Sequence, residues 1–380
     1  MRVYLDNAAT TPLDPQVFEA MSPYMLKHFG NPSSVHGHGR EVRAAIERSR
    51  KKIAELLQAS PAEIFFTSGG TEADNTALVC TVKSQGIRHI ISTEIEHHAV
   101  LHTLHTLRDR ENVQVSFLNL SREGTFDFDE LEALLRKYPS SLVSLMQANN
   151  EIGNLNDLER IGELCATYGA LLHSDTVQTV GHYRHHLQEL KAKFIVGSAH
   201  KFHGPKGVGF LYINSDLKIH PFIHGGAQER NMRGGTENVY GIVGMAKALE
   251  IAYEHMDEHR TYIQSLKSRM IARMREKIPG VSFNGLCAEA DKSLYTILSV
   301  SLPPADFNDM LLFKLDLEGI SASGGSACSS GSDVGSHVLR ALGADPERGY
   351  VRFSFSKYNT AEEVDYAVDC LAKIYEGVYS

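Results

Sequence analysis

The segment Ile195-Val196-Gly197-Ser198-Ala199-His200-Lys201 decides the fold, because an unbroken apolar run ends there in a small-residue turn carrying a histidine and a lysine. Continuous apolar runs of this length belong to strands buried on both faces, as in parallel sheets covered by helices. Lys201 then stands just past the carboxyl end of such a strand, where open α/β sheets collect their ligands. A second run, Ala170-Leu171-Leu172-His173-Ser174, closes on Asp175 in the same way.

Working outward, short apolar runs alternate with helical patterns from Ser60 to about Thr176, which predicts a mostly parallel sheet flanked by helices. The expected strands are Ile64 to Thr67, His89 to Thr93, Val113 to Phe117, Leu142 to Gln147, Ala170 to Asp175, Phe194 to Ser198 and Val208 to Ile213. Amphipathic stretches such as Asp129 to Tyr138 and Leu158 to Tyr168 lie between them. One long helical pattern runs from Val239 past Arg275 to a stop at Pro279-Gly280, which reads as a change of domain. Beyond it the pattern is smaller and mixed: a strand Tyr295 to Leu302, a helix from Phe307, a Gly/Ser loop, a strand Val351 to Phe355 and a final helix.

A chain of 380 residues exceeds the size at which one core keeps growing, so two domains are expected. With 42% hydrophobic and 22% charged residues it has the composition of a globular protein, and no stretch approaches the roughly 20 apolar residues of a membrane span. The start Met1-Arg2-Val3-Tyr4-Leu5-Asp6-Asn7 lacks the form of a secretory leader, so a cytoplasmic location is expected. A net charge of -8 without basic runs speaks against nucleic acid. The 5 cysteines include no Cys-x-x-Cys pair, which disfavours a disulfide framework and a zinc cluster. Cys80, Cys165, Cys287 and Cys370 read as packed or incidental side chains.

Each chemical motif has a plainer alternative. Ser68-Gly69-Gly70-Thr71-Glu72 follows a strand and opens a helix, so it can cradle a phosphate; equally, Thr71 and Asp74 have the spacing of a capping box. Neither a Walker A sequence nor a dinucleotide fingerprint is present, which disfavours ATP and NAD. Asp175, with Gln178 following, is either a paired buried carboxylate or an N-cap. An imine-forming lysine beside an aspartate that salt-bridges a pyridinium nitrogen is the arrangement that makes pyridoxal 5'-phosphate an electron sink. Gly324-Gly325-Ser326-Ala327-Cys328-Ser329-Ser330-Gly331-Ser332 puts a cysteine in a loop with almost no apolar neighbours, suited to a travelling thiolate or merely a passive loop position. Arg352 in Val351-Arg352-Phe353-Ser354-Phe355 is a carboxylate clamp or a solvated strand face. His98, His102 and His105 on one helix lack further metal ligands by motif and read as a wet face, as do His182, His185 and His186.

Taken in this order, the chain resembles the cysteine desulfurases, in the class V aminotransferase group of fold-type I pyridoxal phosphate enzymes. The likeness rests on Tyr4-Leu5-Asp6-Asn7-Ala8-Ala9-Thr10-Thr11-Pro12, Gly30-Asn31-Pro32-Ser33-Ser34, Glu96-His97-His98-Ala99-Val100 and Asn149-Asn150-Glu151-Ile152-Gly153. It continues through His200-Lys201, Gly204-Pro205-Lys206-Gly207 and Arg233-Gly234-Gly235-Thr236-Glu237-Asn238, almost end to end. The form of the cysteine loop resembles the subgroup linked to iron–sulfur cluster and nitrogen-fixation-type maturation.

The resemblance implies a large cofactor-binding domain at 14–257 and a small α+β domain made of 1–13 and 258–380. It implies that Lys201 holds the cofactor, Asp175 pairs with the pyridine nitrogen, and Gln178 and Asn150 contact the ring hydroxyl. Gly70, Thr71, Ser198 and His200 would bind the phosphate, with Thr236 supplied by the partner of a homodimer. His97 would stack on the ring and move substrate protons, Arg352 would grip the carboxylate of L-cysteine, and Asn31 and Asn150 would lie near the substrate. Cys328 would take the sulfur as a persulfide, release L-alanine, and pass the sulfur to an acceptor or iron–sulfur scaffold protein. Thr176 and Lys357 depart from the family, which usually has alanine and often arginine there. Selenocysteine cleavage, another lyase or aminotransferase reaction, and a catalytically silent binding partner are the competing expectations.

Overall fold

A computed structural model of the chain describes residues 1–324 and 335–376. In chain order the elements begin with β1 (Val3–Tyr4), α1 (Pro15–Leu26), α2 (Gly37–Leu56), β2 (Ile64–Thr67), α3 (Gly70–Gln85), β3 (His89–Ser92), α4 (His98–Glu111) and β4 (Gln114–Phe117). They continue with α5 (Phe128–Lys137), β5 (Leu142–Ser144), α6 (Leu158–Thr167), β6 (Leu171–Asp175), β7 (Phe194–Ser198), β8 (Gly209–Ile213), α7 (Val239–Glu254) and α8 (Met256–Lys277). The last are β9 (Ser282–Phe283), β10 (Ile297–Pro304), α9 (Leu311–Leu317), β11 (Ile320–Ser321), α10 (His337–Ala341), β12 (Arg348–Ser354) and α11 (Ala361–Tyr375).

The central sheet has 7 strands in the order β2-β8-β7-β6-β5-β3-β4. β8 pairs antiparallel with both neighbours and the remaining pairs are parallel, so β2, β3, β5, β6 and β7 all deliver their carboxyl ends to one edge. Every residue of β7 and β8 is buried, as two helical layers require. α3 lies over β6, β7 and β8, with Ala73, Ala77 and Leu78 buried. α2 turns Val42, Ile46, Ile53 and Ala54 inward at helical spacing and packs, with α1, against α7. α5 shows the local logic fully: Asp127 caps it, acids open it, bases close it, and Leu131 and Leu135 form its buried stripe.

The expected long helix after Val239 is two. α7 ends and α8 begins around His255, whose backbone leaves the helical region at φ -107 and ψ 16. A second apolar cluster surrounds the antiparallel sheet β12-β10-β9 and takes in Val3 and Leu5 from the amino-terminal strand. β1 pairs with β11, and the arm beyond it, Asp6 to Pro12, crosses from that sheet to the Lys201 turn: Ser354 N donates to Leu5 O at 2.7 Å and Thr11 N to His200 O at 2.9 Å.

Candidate active site

The strand ends surround a cavity of about 210 Å³ lined by Gly70, Thr71, Asp74, His97, Asn150, Asp175, Gln178, Ser198, His200, Lys201 and Arg352, together with Ala8, Ala9, Met146, Ala148 and Val177. β2 leads into Gly70 and Thr71, β3 into His97, β5 into Asn150, β6 into Asp175 and Gln178, and β7 into Ser198, His200 and Lys201. Residues scattered through the sequence thus meet because parallel strands all end on the same side.

Lys201 Nζ donates to the carbonyls of Ala8 at 2.5 Å and Ala9 at 2.9 Å, so the amino-terminal arm positions the amine. Gln178 Nε2 donates to the same Ala8 oxygen at 3.1 Å. Asp175 is 7% exposed and its Oδ1 accepts from Val177 N at 2.9 Å. No α-helix follows it, so the bond closes a local turn and the N-cap alternative fails. Two more acids adjoin the site, Asp74 in its lining and Glu96 behind it. Burial, with Asp175 and Glu96 nearby, holds the Asp74 carboxyl well above its ordinary range, and burial above all pushes Glu96 up to about 8. Burial thus favours the protonated form of both.

α3 starts at Gly70, and its N-cap Gly69 has no side chain to satisfy the first amides. Thr71 lies inside the helix, so the capping-box alternative is excluded. A Cβ on Gly69 would sit 3.7 Å from Ser198 Oγ, which places that hydroxyl at the mouth of the helix, and Gly69 holds a φ of +154° that only glycine adopts freely. Glu72, the acid of the first turn, is tied to Arg233 at 3.0 and 3.2 Å and accepts from Ser68 N at 3.0 Å. Its charge is thus offset rather than aimed at an incoming anion.

His97 caps α4, with Nδ1 accepting from Ala99 N at 3.1 Å, which leaves Nε2 to carry the proton of the neutral ring. Burial lowers its pKa, partly opposed by Asp175 and reinforced by Lys201. Burial, then Lys201 and Lys206, likewise brings His200 down to about 4; its Nδ1 lies 3.1 Å from Thr10 Oγ1.

Arg352 is 2% exposed, so it is no solvated strand face. Nη1 donates to Asn150 O at 2.8 Å and Nη2 to Asp6 Oδ1 at 2.9 Å, while the buried Nε has no partner among the described residues. A pocket-lining guanidinium has five N–H donors and uses two of them here, so it can still bind a carboxylate. Lys357 pairs with Asp14 at 2.6 Å and does not line this cavity, and Thr176 donates to Val196 O at 2.6 Å. Neither departure touches the site.

Asn31 and Thr236 do not line the cavity of their own chain: Asn31 Oδ1 accepts from Ser33 N at 2.9 Å, and Thr236 is exposed beside Gly207 and Arg233. Cys328 lies outside the described residues. The wet-face expectation fails for His185, which is buried with Nε2 2.7 Å from Gln147 Oε1, and for His182, whose Nδ1 is 3.0 Å from Tyr295 OH. His98 is partly buried, stacked on His102 and 3.1 Å from His337 Nδ1. Sequence reasoning overlooked Asp74, Glu96 and the Ala8-Ala9 carbonyls. An acid between Ala73 and Ala77 on an otherwise apolar helix face was the available signal for Asp74.

A family model described as aminotransferase class-V matches residues 3–367. The chain belongs to that family. Among class-V relatives, a cysteine desulfurase IscS of Dictyoglomus turgidum is 44% identical over 378 residues, covering 98% of this chain and 94% of that protein. One of Methanosarcina thermophila is 42% identical, covering 98% of this chain and 91% of that protein. The solved structure of a NifS-like protein superposes with a TM-score of 0.90 at 38% identity, covering 99% of this chain and 100% of the other. No helix among the described residues is long and apolar enough to cross a membrane.

Proposed function

We propose that this class-V protein is a cysteine desulfurase that binds pyridoxal 5'-phosphate, converts L-cysteine to L-alanine and leaves the sulfur on Cys328 as a persulfide. The observation that carries the reading is the convergence of an uncapped helix end, a turn-bonded Asp175 and the Lys201 amine on one cavity. Full-length likeness to relatives named cysteine desulfurase supports the reaction.

The donor set fits the cofactor part by part. The free amides of α3 with Thr71, Ser198 and His200 suit a phosphate, Asp175 suits a protonated pyridine nitrogen, and Gln178 and Asn150 suit the ring hydroxyl. Burial shifts Asp74 and Glu96 toward their protonated forms, which weakens them as rivals of Asp175 for the ring nitrogen. When bound, the cofactor supplies a carbonyl for amine exchange and a ring that delocalises the negative charge formed at the substrate Cα.

The side chains then divide the work. Lys201 holds the cofactor and, once displaced, is the base that moves the Cα proton. The substrate carboxylate takes the remaining Nη–H donors of Arg352, which lines the cavity. His97, neutral with its proton on Nε2, covers the ring and moves protons at the substrate sulfur. In the net reaction one Cys328 S–H and one substrate C–S bond break, while one S–S and one C–H bond form. Cysteine and thiol thus balance alanine and persulfide.

Several further assignments belong to this reading. The chain divides into 14–257 and 1–13 plus 258–380. It works as a homodimer, supported by the exposed Phe18, Leu26, Phe29 and Val35 around α1 and by the placement of Thr236 away from its own cavity. Asn31, near that surface, is placed by dimerisation rather than by its own pocket. The purified protein is expected to show a visible imine absorbance and to release alanine from cysteine. Absence of both, or persistence of the absorbance in Lys201→Ala, contradicts the reading.

A further inference from the structure

Glu229, Arg230 and Asn231 have φ values of 43, 56 and 67, consecutive left-handed positions without a glycine. Each is disfavoured by contact of its Cβ with the backbone, so such a run persists only where its surroundings hold it. Here the holder is Arg50 of α2. Its Nη1 and Nη2 donate to Glu229 Oε2 and Oε1, both at 2.8 Å, and Glu229 Oε2 also accepts from Phe66 N at 2.8 Å. Ile64 O accepts from Arg50 Nη1 at 2.8 Å and Arg230 Nη2 at 2.7 Å. β2 is an edge strand of the large sheet, and these side chains occupy backbone groups that a further strand would otherwise take.

The pair is buried on both sides, with 3% and 2% side-chain exposure. Buried ion pairs are poor stabilisers, because desolvation offsets most of their attraction and apolar replacements often do as well. What this pair does deliver is geometry. Downstream of the turn, Arg233 forks onto Glu72 in the first turn of α3, at 3.0 and 3.2 Å. Gly234 lies so close to Gly225 that a Cβ would meet its Cα at 2.6 Å, and Gly235 N donates to Gln228 Oε1 at 3.2 Å. Arg233, Gly234 and Gly235, just ahead of Thr236, are thus tied to the rest of the chain, while Thr236 itself is exposed.

We propose that the Arg50–Glu229 pair is a positioning device for the neighbouring subunit's site: it locks the left-handed turn to the edge of β2 and so sets Thr236 where it reaches the phosphate end of a partner copy's cavity. This rests on the dimer and cofactor reading above. It also joins two sites, since the strand that is gripped is the one leading into the chain's own Gly69-Gly70 cradle.

The test uses the full-length dimer stripped of cofactor and titrated with pyridoxal 5'-phosphate, in Thr236→Ala, Arg50→Lys and the double variant. Arg50→Lys keeps the charge and removes the fork. Thr236→Ala is expected to raise Kd about tenfold, equivalent to about 1.4 kcal/mol. Arg50→Lys is expected to raise it by a similar factor while remaining dimeric in light scattering. Its apo-protein is expected to exchange amide hydrogens faster across 225–238 but not in α3. The double variant is expected to be no weaker than the worse single one, because both changes remove the same contact. Wild-type Kd in Arg50→Lys, or effects that multiply in the double variant, overturns the proposal. If the single variant does not fold, Arg50→Met/Glu229→Leu fills the space without charge and is expected to fold with the same loss; wild-type Kd there overturns it too. Unchanged affinity in Thr236→Ala, or a monomer with full affinity, instead removes the underlying cross-subunit reading, whatever Arg50 does.

Discussion

Replacing Arg352 should separate substrate binding from cofactor binding. Its Nη atoms donate to Asn150 O and Asp6, and each keeps a second N–H that the substrate carboxylate takes. A hydrogen bond between charged groups contributes about 1.5–3 kcal/mol, which corresponds to roughly tenfold to a hundredfold in Kd for cysteine. Arg352→Lys keeps a cation beside Asp6 and is expected to show that loss with little change in melting temperature. Arg352→Ala is expected to lose at least as much affinity and also some stability, since Asp6 loses its partner; at 17% side-chain exposure Asp6 reaches water, so the cost stays below the about 3–5 kcal/mol of a fully buried pair. The assay is a spectral titration of the cofactor-loaded protein with L-cysteine, alongside thermal melting. Cysteine affinity within twofold of wild type, or loss of the cofactor absorbance in Arg352→Lys, refutes the clamp.

Gly69→Ala should destabilise the protein by about 1–3 kcal/mol, because φ +154° is open to glycine almost alone, and should weaken cofactor binding at the helix mouth; a denaturant midpoint and a cofactor titration that both match wild type would refute this. Asp175→Asn should leave the fold intact and retain the imine, but slow Cα proton exchange of cysteine in deuterated solvent by orders of magnitude; wild-type exchange contradicts the ring-nitrogen role. Acidification should destabilise the apo-protein: burial brings His182, His185 and His203 to about 4 and His173 to about 3, against an ordinary 6.5. Between about pH 6.5 and 4 the unfolded chain therefore binds protons at these sites that the fold does not, and stability is lost as pH falls. Asp74 and Glu96, shifted upward, oppose this but are outnumbered. Urea midpoints at pH 7 and pH 5 check the sign; a higher midpoint at pH 5 contradicts it.

The strand ends were legible because burial on both faces leaves a continuous apolar run, and Asp175 and Lys201 are conspicuous where such runs stop. Arg352 was ambiguous alone, since what covers it, Asp6 and the Asn150 carbonyl, comes from far along the chain. Local spacing cannot register such a partner. The same applies to the Ala8 and Ala9 carbonyls on Lys201, which are backbone atoms and leave no mark in residue type. The Thr71–Asp74 spacing misled because helix α3 starts at Gly70, so that Asp74 turns inward between Ala73 and Ala77 instead of capping. His185 looked like part of a polar surface run and is buried, with its Nε2 paired to Gln147 and its backbone N–H donated to the Tyr253 hydroxyl. Arg50 and Glu229 gave no signal at all, lying far apart in two unremarkable polar stretches.

The central claim is sulfur transfer from free cysteine to one thiol, and mass spectrometry addresses it directly. Incubated with L-cysteine and then alkylated and digested, the purified protein should yield alanine and a peptide bearing Cys328 heavier by one sulfur, with both products absent from Cys328→Ala. Alanine released at the wild-type rate by Cys328→Ala, or added sulfur found only on another cysteine, contradicts the account.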